Sequence, residues 1–245
     1  MTGVLPIDKP EGFTSFDVVA KLRGLSKTKK IGHSGTLDPM ATGVLPLFFN
    51  SATKACAVLP EEDKRYEAGI RFGLTTDTQD TTGKVIEQKE SHVTEEQFLA
   101  VMNTFVGEQL QLPPMYSAVK VNGRPLYKAA RNGEEISREA RKIVVYSIAL
   151  LDFSEADQTA RIDVCCGKGT YIRTLIADMG EKLGCGASMS SLRRTEASGF
   201  TLEDCYTLPE VGKLASEGEL KSVLLPVERV FLSLPELILN DRDAA

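Results

Sequence analysis

Gly32-His33-Ser34-Gly35-Thr36-Leu37-Asp38-Pro39-Met40-Ala41-Thr42-Gly43 runs straight into Val44-Leu45-Pro46-Leu47-Phe48-Phe49, and the rest of the chain is read outward from it. Glycines at 32, 35 and 43 permit tight turns, and Pro39 biases Asp38 toward an extended backbone. A polar Gly/Pro/Thr loop followed by an uninterrupted apolar run predicts a structured loop feeding a buried strand over Val44–Phe49. Such a loop can hold one carboxylate in a fixed pose for chemistry, or Asp38 can simply cap the turn through its side chain. Composition leaves both open.

Upstream, Val4 to Ile7 reads as a short strand, and Ser15 is placed to cap a helix with Val18, Val19, Leu22 and Leu25 on one face. Downstream, Tyr66, Ala68, Ile70 and Phe72 alternate with Arg65, Glu67, Gly69 and Arg71, the period of a half-buried strand. Thr94 and Gln97 form a capping box for a helix presenting Phe98, Val101, Met102 and Phe105, with Gly107 expected to close it. Val144–Leu151 and Ala160–Cys166 are strand-like. Gly167-Lys168-Gly169 leads into a helix with Ile172, Leu175, Ile176, Met179 and Leu183 on one stripe, ended by Gly184. Strands and helices mixed without regular β-α alternation predict an α+β domain with a mixed, largely antiparallel sheet flanked by helices. Residues 112–143, with Pro113-Pro114, Asn122-Gly123 and Asn132-Gly133, have weaker apolar periodicity and read as an excursion from the core.

With 245 residues, 42% of them hydrophobic, the chain can form a sizeable core. No basic segment followed by an apolar run opens the sequence, and no stretch approaches the roughly 20 apolar residues of a membrane span, so a cytoplasmic protein without membrane contact is expected. Five cysteines without a C-x-x-C pair predict reduced thiols, and two histidines far apart predict no metal. A net charge of −5 argues against a nucleic-acid partner if taken as a sum. Its distribution argues otherwise. Lys21, Arg23, Lys27, Lys29 and Lys30 form one basic cluster, and Lys120, Arg124, Lys128, Arg131, Arg138, Arg141 and Lys142 another, while acidic residues from Glu203 to Asp243 gather toward the end. Either cluster alone is equally consistent with a solvated face.

The Gly32–Gly43 loop with Val44-Leu45-Pro46-Leu47 resembles the catalytic segment of the TruB-type tRNA pseudouridine-55 synthases. The resemblance extends to Ile7-Asp8-Lys9-Pro10 with Gly12, Ala52-Thr53-Lys54, Asp63-Lys64-Arg65-Tyr66, Pro114-Met115-Tyr116-Ser117-Ala118, Gly167-Lys168-Gly169-Thr170-Tyr171-Ile172-Arg173 and Leu192-Arg193-Arg194. Ordered matches over nearly the whole chain are far more specific than one motif. The resemblance implies the pseudouridine synthase fold, with residues 1–225 as catalytic domain and about 112–143 as a mobile RNA-binding insertion. It implies a cofactor-free, monomeric isomerase that flips uridine 55 out of the T stem-loop of tRNA. Asp38 becomes the catalytic carboxylate and Arg173 its partner. Tyr66 would stack on the flipped uracil and assist proton removal at C5, and His33, Tyr171 and Leu192 would contact substrate RNA.

Each residue has a plainer alternative: an exposed helix arginine for Arg173, core packing for Tyr66, Tyr171 and Leu192, and loop stabilisation for His33. Two departures stand out. Asn50-Ser51 precedes Ala52 where the family has glycine, and Asn is the substitute that best tolerates a left-handed backbone. Residues 226–245 resemble the run into a small RNA-binding domain of the PUA type, which is expected to be absent. Two competing functions remain: an RNA chaperone that needs no turnover, and a hydrolytic N-glycosidase pairing Asp38 with Asp77 or Asp80.

Overall fold

Burial is continuous from Gly3 to Ile7 in the first strand, which is what a strand with both faces covered requires. The computed structural model describes residues 1–60, 63–121 and 123–235. In chain order the elements are β1 (Gly3–Lys9), α1 (Ser15–Ser26), β2 (Ile31–His33), β3 (Thr42–Phe49), β4 (Lys64–Phe72), β5 (Leu74–Thr76), β6 (Val85–Gln88), α2 (Glu95–Asn103), β7 (Gly107–Gln111), β8 (Lys120–Val121), β9 (Arg124–Pro125), α3 (Leu126–Ala130), β10 (Arg141–Ser154), β11 (Thr159–Cys166), α4 (Ile172–Lys182), β12 (Ala187–Ala197), β13 (Phe200–Thr201) and α5 (Leu208–Glu217). The last ten positions of the expected 226–245 tail, with Glu236, Asp241 and Asp243, lie outside the described residues, as does Asn122 of the expected Asn122-Gly123 turn.

The described residues form two units, one from Met1–Pro39, 43–60 and 196–235, the other from Met40–Thr42 and 63–195. In the first, β1 pairs antiparallel with β3 from Gly3↔Phe49 to Lys9↔Gly43, and β2 pairs with β3 through His33↔Leu47. Val4, Val44, Phe48, Ala52, Phe200 and Val230 bury one another in its core. Helix α1 packs on β2 and α5. Thr14 is the residue that caps α1, not Ser15: its hydroxyl accepts from Asp17 N–H while the Asp17 carboxylate accepts from Thr14 N–H. Ser15 is instead the first helical residue and is buried. Asn50 has φ +50, the left-handed backbone expected where the family has glycine.

In the second unit the strands lie in the order β12-β4-β11-β10-β7. Strand β4 pairs antiparallel with β11, Tyr66 opposite Val164. The predicted inward face forms, with Tyr66, Ala68, Ile70 and Phe72 buried, but Gly69 on the expected outward face is buried as well, because Ser190 and Ser191 of β12 approach it closely. Phe72 meets Phe98 edge-on at 5.2 Å and Phe153 at 6.1 Å. The Thr94/Gln97 capping box forms, but α2 ends at Asn103, and Gly107, at φ +108, opens β7 instead of closing the helix. Parallel bridges Ile7↔Tyr206 and Asp80↔Met189 accompany the antiparallel ladders, giving the mixed, mostly antiparallel α+β fold. The cysteines are free thiols, and burial pushes that of Cys166 up to about 12. Among the described residues no helix is long and apolar enough to cross a membrane.

Candidate active site

Asp38 lies half-buried in the loop between β2 and β3, in the first unit. Both of its neighbours are anchored. Leu37 donates its N–H to Ser15 Oγ at 2.8 Å and accepts the same hydroxyl at 3.3 Å. The Pro39 carbonyl accepts from Gly12 N–H at 2.8 Å and from Lys9 Nζ at 3.3 Å. Lys9 is fully buried, a costly place for an ammonium, and the Pro10 and Phe13 carbonyls also accept from it at 2.8 and 2.6 Å. Earlier in the loop, Ser34 N–H donates to Pro46 O, and Gly35 takes φ +79. His33 is half-buried at the end of β2.

In the second unit, Tyr66, Tyr171, Arg173 and Leu192 come from neighbouring elements. Strand β4 carries Tyr66, β12 with Leu192 lies beside β4, and α4, whose start holds Tyr171 and Arg173, packs against β4. Tyr66 and Leu192 are buried, and Tyr171 is half-buried.

Arg173 is 4% exposed, which rules out the plain alternative of a solvated helix arginine. The whole first turn of α4, from Ile172 to Ile176, is buried, so a stripe read from apolar residues alone misses it. The guanidinium donates to the Thr78 carbonyl at 2.8 Å and the Tyr116 carbonyl at 2.9 Å, with Asp80 Oδ2 at 3.9 Å. Asp80, also buried, is taken up by its own turn: its Oδ1 accepts from Thr78 Oγ1 at 2.8 Å, Thr82 N–H at 3.0 Å and Thr82 Oγ1 at 2.6 Å. Asp77 Oδ1 accepts from Lys84 N–H at 2.7 Å. These turn-building roles speak against either as the second carboxylate of an N-glycosidase.

Gln111 was not singled out from sequence, yet its buried side-chain amide grips Tyr171: Tyr171 N–H donates to Oε1 at 2.8 Å, and Nε2 donates to the Tyr171 carbonyl at 3.1 Å. Tyr171 is the N-cap of α4 and its side chain does not cap the helix, so Gln111 fixes the helix start from β7. A glutamine after Leu110 in an alternating strand carries no visible signal of this. Ser15 likewise looks like a cap in the sequence because Thr14 and Ser15 are adjacent residues of capping type, and the structure gives the role to Thr14.

The profile described as TruB family pseudouridylate synthase (N terminal domain) matches residues 23–172, and that of the tRNA pseudouridylate synthase B C-terminal domain matches residues 173–232. Proteins named tRNA pseudouridine synthase B from Ralstonia nicotianae and Halalkalibacterium halodurans are 46% and 44% identical over 244 and 245 residues, covering 99% and 98% of this chain and 77% and 81% of theirs. A solved Cbf5-Nop10-Gar1 complex contains a chain with TM-score 0.72 and 31% identity, matching 93% of this chain and 61% of that one. An H/ACA RNP bound to a substrate RNA containing 2′-deoxyuridine gives a TM-score of 0.70 at 29% identity, over 93% and 60% of the two chains. With two profiles that together span residues 23–232 and relatives 44–46% identical over nearly its whole length, the chain belongs to the TruB family of pseudouridylate synthases.

Proposed function

We propose that the protein isomerises uridine 55 in the T stem-loop of tRNA to pseudouridine, with Asp38 as its catalytic carboxylate. The observation that carries this reading is the Asp38 loop itself, anchored on both sides of the aspartate in a chain of this family. The reaction breaks N1–C1′ and forms C5–C1′, and the proton leaving C5 is balanced by one gained at N1. Breaking the glycosidic bond develops positive charge at C1′, which a fixed carboxylate stabilises. Asp38 then either attacks C1′ or removes the C2′ proton to give a glycal. Arg173, oriented by two backbone carbonyls, suits the role of partner that keeps Asp38 ionised and aimed.

The uridine must leave its stack first, at a cost of a few kcal/mol. Tyr66 is proposed to stack on the extruded uracil and assist proton loss from C5, with Tyr171 and Leu192 shaping its pocket and His33 contacting the surrounding RNA. Residues 112–143, with exposed Lys120, Lys128, Arg131, Arg141 and Lys142, are proposed to close over the T arm.

The test is tritium release from a tRNA transcript labelled at uridine C5. The parent is expected to release tritium, and Asp38→Asn to release none above background. A transcript with cytidine at position 55 is expected to give no release from that site. Release by Asp38→Asn at the parent's rate would remove Asp38 from the chemistry.

A further inference from the structure

The hydroxyl of Ser15 makes two hydrogen bonds to one residue of the catalytic loop, Leu37, immediately before Asp38. Ser15 is 2% exposed and Leu37 3%. Ser15 is built on firm ground: it opens α1, whose N-terminus is closed by the reciprocal Thr14/Asp17 box and whose Val18, Val19 and Leu22 are buried. On the other side of Asp38, Gly12, three residues before Ser15, holds the Pro39 carbonyl. The segment 12–15 therefore grips the loop on either side of the reacting residue.

We propose that Ser15 is a positioning residue for catalysis, a clasp that sets the pose of the Asp38 carboxylate by fixing the Leu37 peptide. This rests on the reading of Asp38 as the reacting carboxylate. A hydroxyl suits the task because it donates and accepts at once, so it can satisfy both the N–H and the C=O of a buried loop residue. Ser15 touches no reacting atom. Its contribution appears only as the loss incurred when the carboxylate drifts, and misplacement by about 1 Å is enough to slow such chemistry about 100-fold.

The experiment compares single-turnover tritium release and tRNA affinity for the parent and Ser15→Ala, with amide hydrogen exchange on the parent. Ser15→Ala is expected to slow release at saturating tRNA by roughly 10- to 100-fold while its tRNA dissociation constant stays within about twofold. In the parent, the Leu37 amide is expected to exchange as slowly as the amides of β3. Unchanged release by Ser15→Ala overturns the proposal, and so does a fall in affinity that accounts for the fall in rate. Should Ser15→Ala not fold, the Leu37 amide decides: exchange as fast as an open loop overturns the clasp, and protection upholds it. A parent with a protected Leu37 amide and no tritium release would sink the functional reading and leave the clasp standing.

Discussion

At the scale of single residues, burial decides which charges matter. Arg173 and Asp178 stand five positions apart on α4, and the same water exclusion acts on them differently. Around the buried Arg173 guanidinium, carbonyls of Thr78 and Tyr116 take the place of water as hydrogen-bond acceptors. Asp178, half-buried, has its carboxyl raised from 3.8 to about 6, first by burial and second by the nearby Glu181 carboxylate. The folded protein therefore holds a proton at Asp178 up to about pH 6, whereas the unfolded chain releases it near pH 4. Between those values the native state binds more protons, so this group's contribution to stability falls as pH rises through the window and stays low above it. Asp178→Asn is expected to raise stability above pH 7 by about 1 kcal/mol, a figure discounted for the carboxylate's partial exposure, and to leave it unchanged at pH 4. Urea midpoints at the two pH values measure this; an equal gain at both would mean that packing, not ionisation, is responsible. None of this was legible in the sequence, where both residues simply flank an apolar stripe.

At the scale of elements, local signals were readable where one residue type does one job. The Thr94/Gln97 box and the Gly184 stop appear as expected because each is satisfied within a few residues of itself, and the inward face of β4 appears where its apolar residues recur every second position. Thr207 and Glu210 carry the same signature for α5, with Gly218 at φ +80 as its C-cap, so that helix was open to the same reading. Strand β12 was not. It buries Ser188 and Arg194 alongside Ala187, Met189, Leu192 and Ala197, and the exposed pair Ser190-Ser191 interrupts the pattern, so no continuous apolar period of two survives. Its entry depends on Gly180, another position whose reason lies in tertiary contact. Gly180 accepts from Gly186 N–H at 2.9 Å, and a Cβ there would overlap the backbone nitrogen and Cβ of Ala187. Alanine is the better helix former, by about 1 kcal/mol, yet Gly180→Ala is expected to destabilise the protein by roughly 1–3 kcal/mol because backbone cannot step aside as a flexible side chain can. Thermal or urea unfolding checks the sign: a stabilised Gly180→Ala would mean that α4 and the start of β12 separate easily.

At the scale of the whole molecule, the net charge of −5 is a poor guide to how the protein meets a polyanion, and the second basic cluster shows why even a local count misleads. Seven cations fall between Lys120 and Lys142, but two are spoken for within the insertion. Arg124 holds Glu134 through paired bonds of 2.7 and 3.0 Å, which keep that carboxyl below its ordinary value. Arg138 donates to the carbonyls of Pro113 and Ile136, tying the end of the insertion to its beginning. Lys128 and Lys142 are exposed. A cation contributes to the salt dependence of binding by displacing counterions from a phosphate, and one already neutralised by a carboxylate displaces correspondingly fewer. Replacing Lys128 or Lys142 with alanine is therefore expected to reduce the slope of log affinity for tRNA against log salt by about 0.7 to 1 each. Arg124→Ala is expected to change the slope by less than half as much while weakening binding through a loosened insertion. Filter binding of the tRNA transcript across a range of potassium chloride concentrations separates the two effects. Equal slopes for all three variants would mean that the Arg124–Glu134 pair opens on the RNA, making the insertion's resting contacts a poor guide to its bound form.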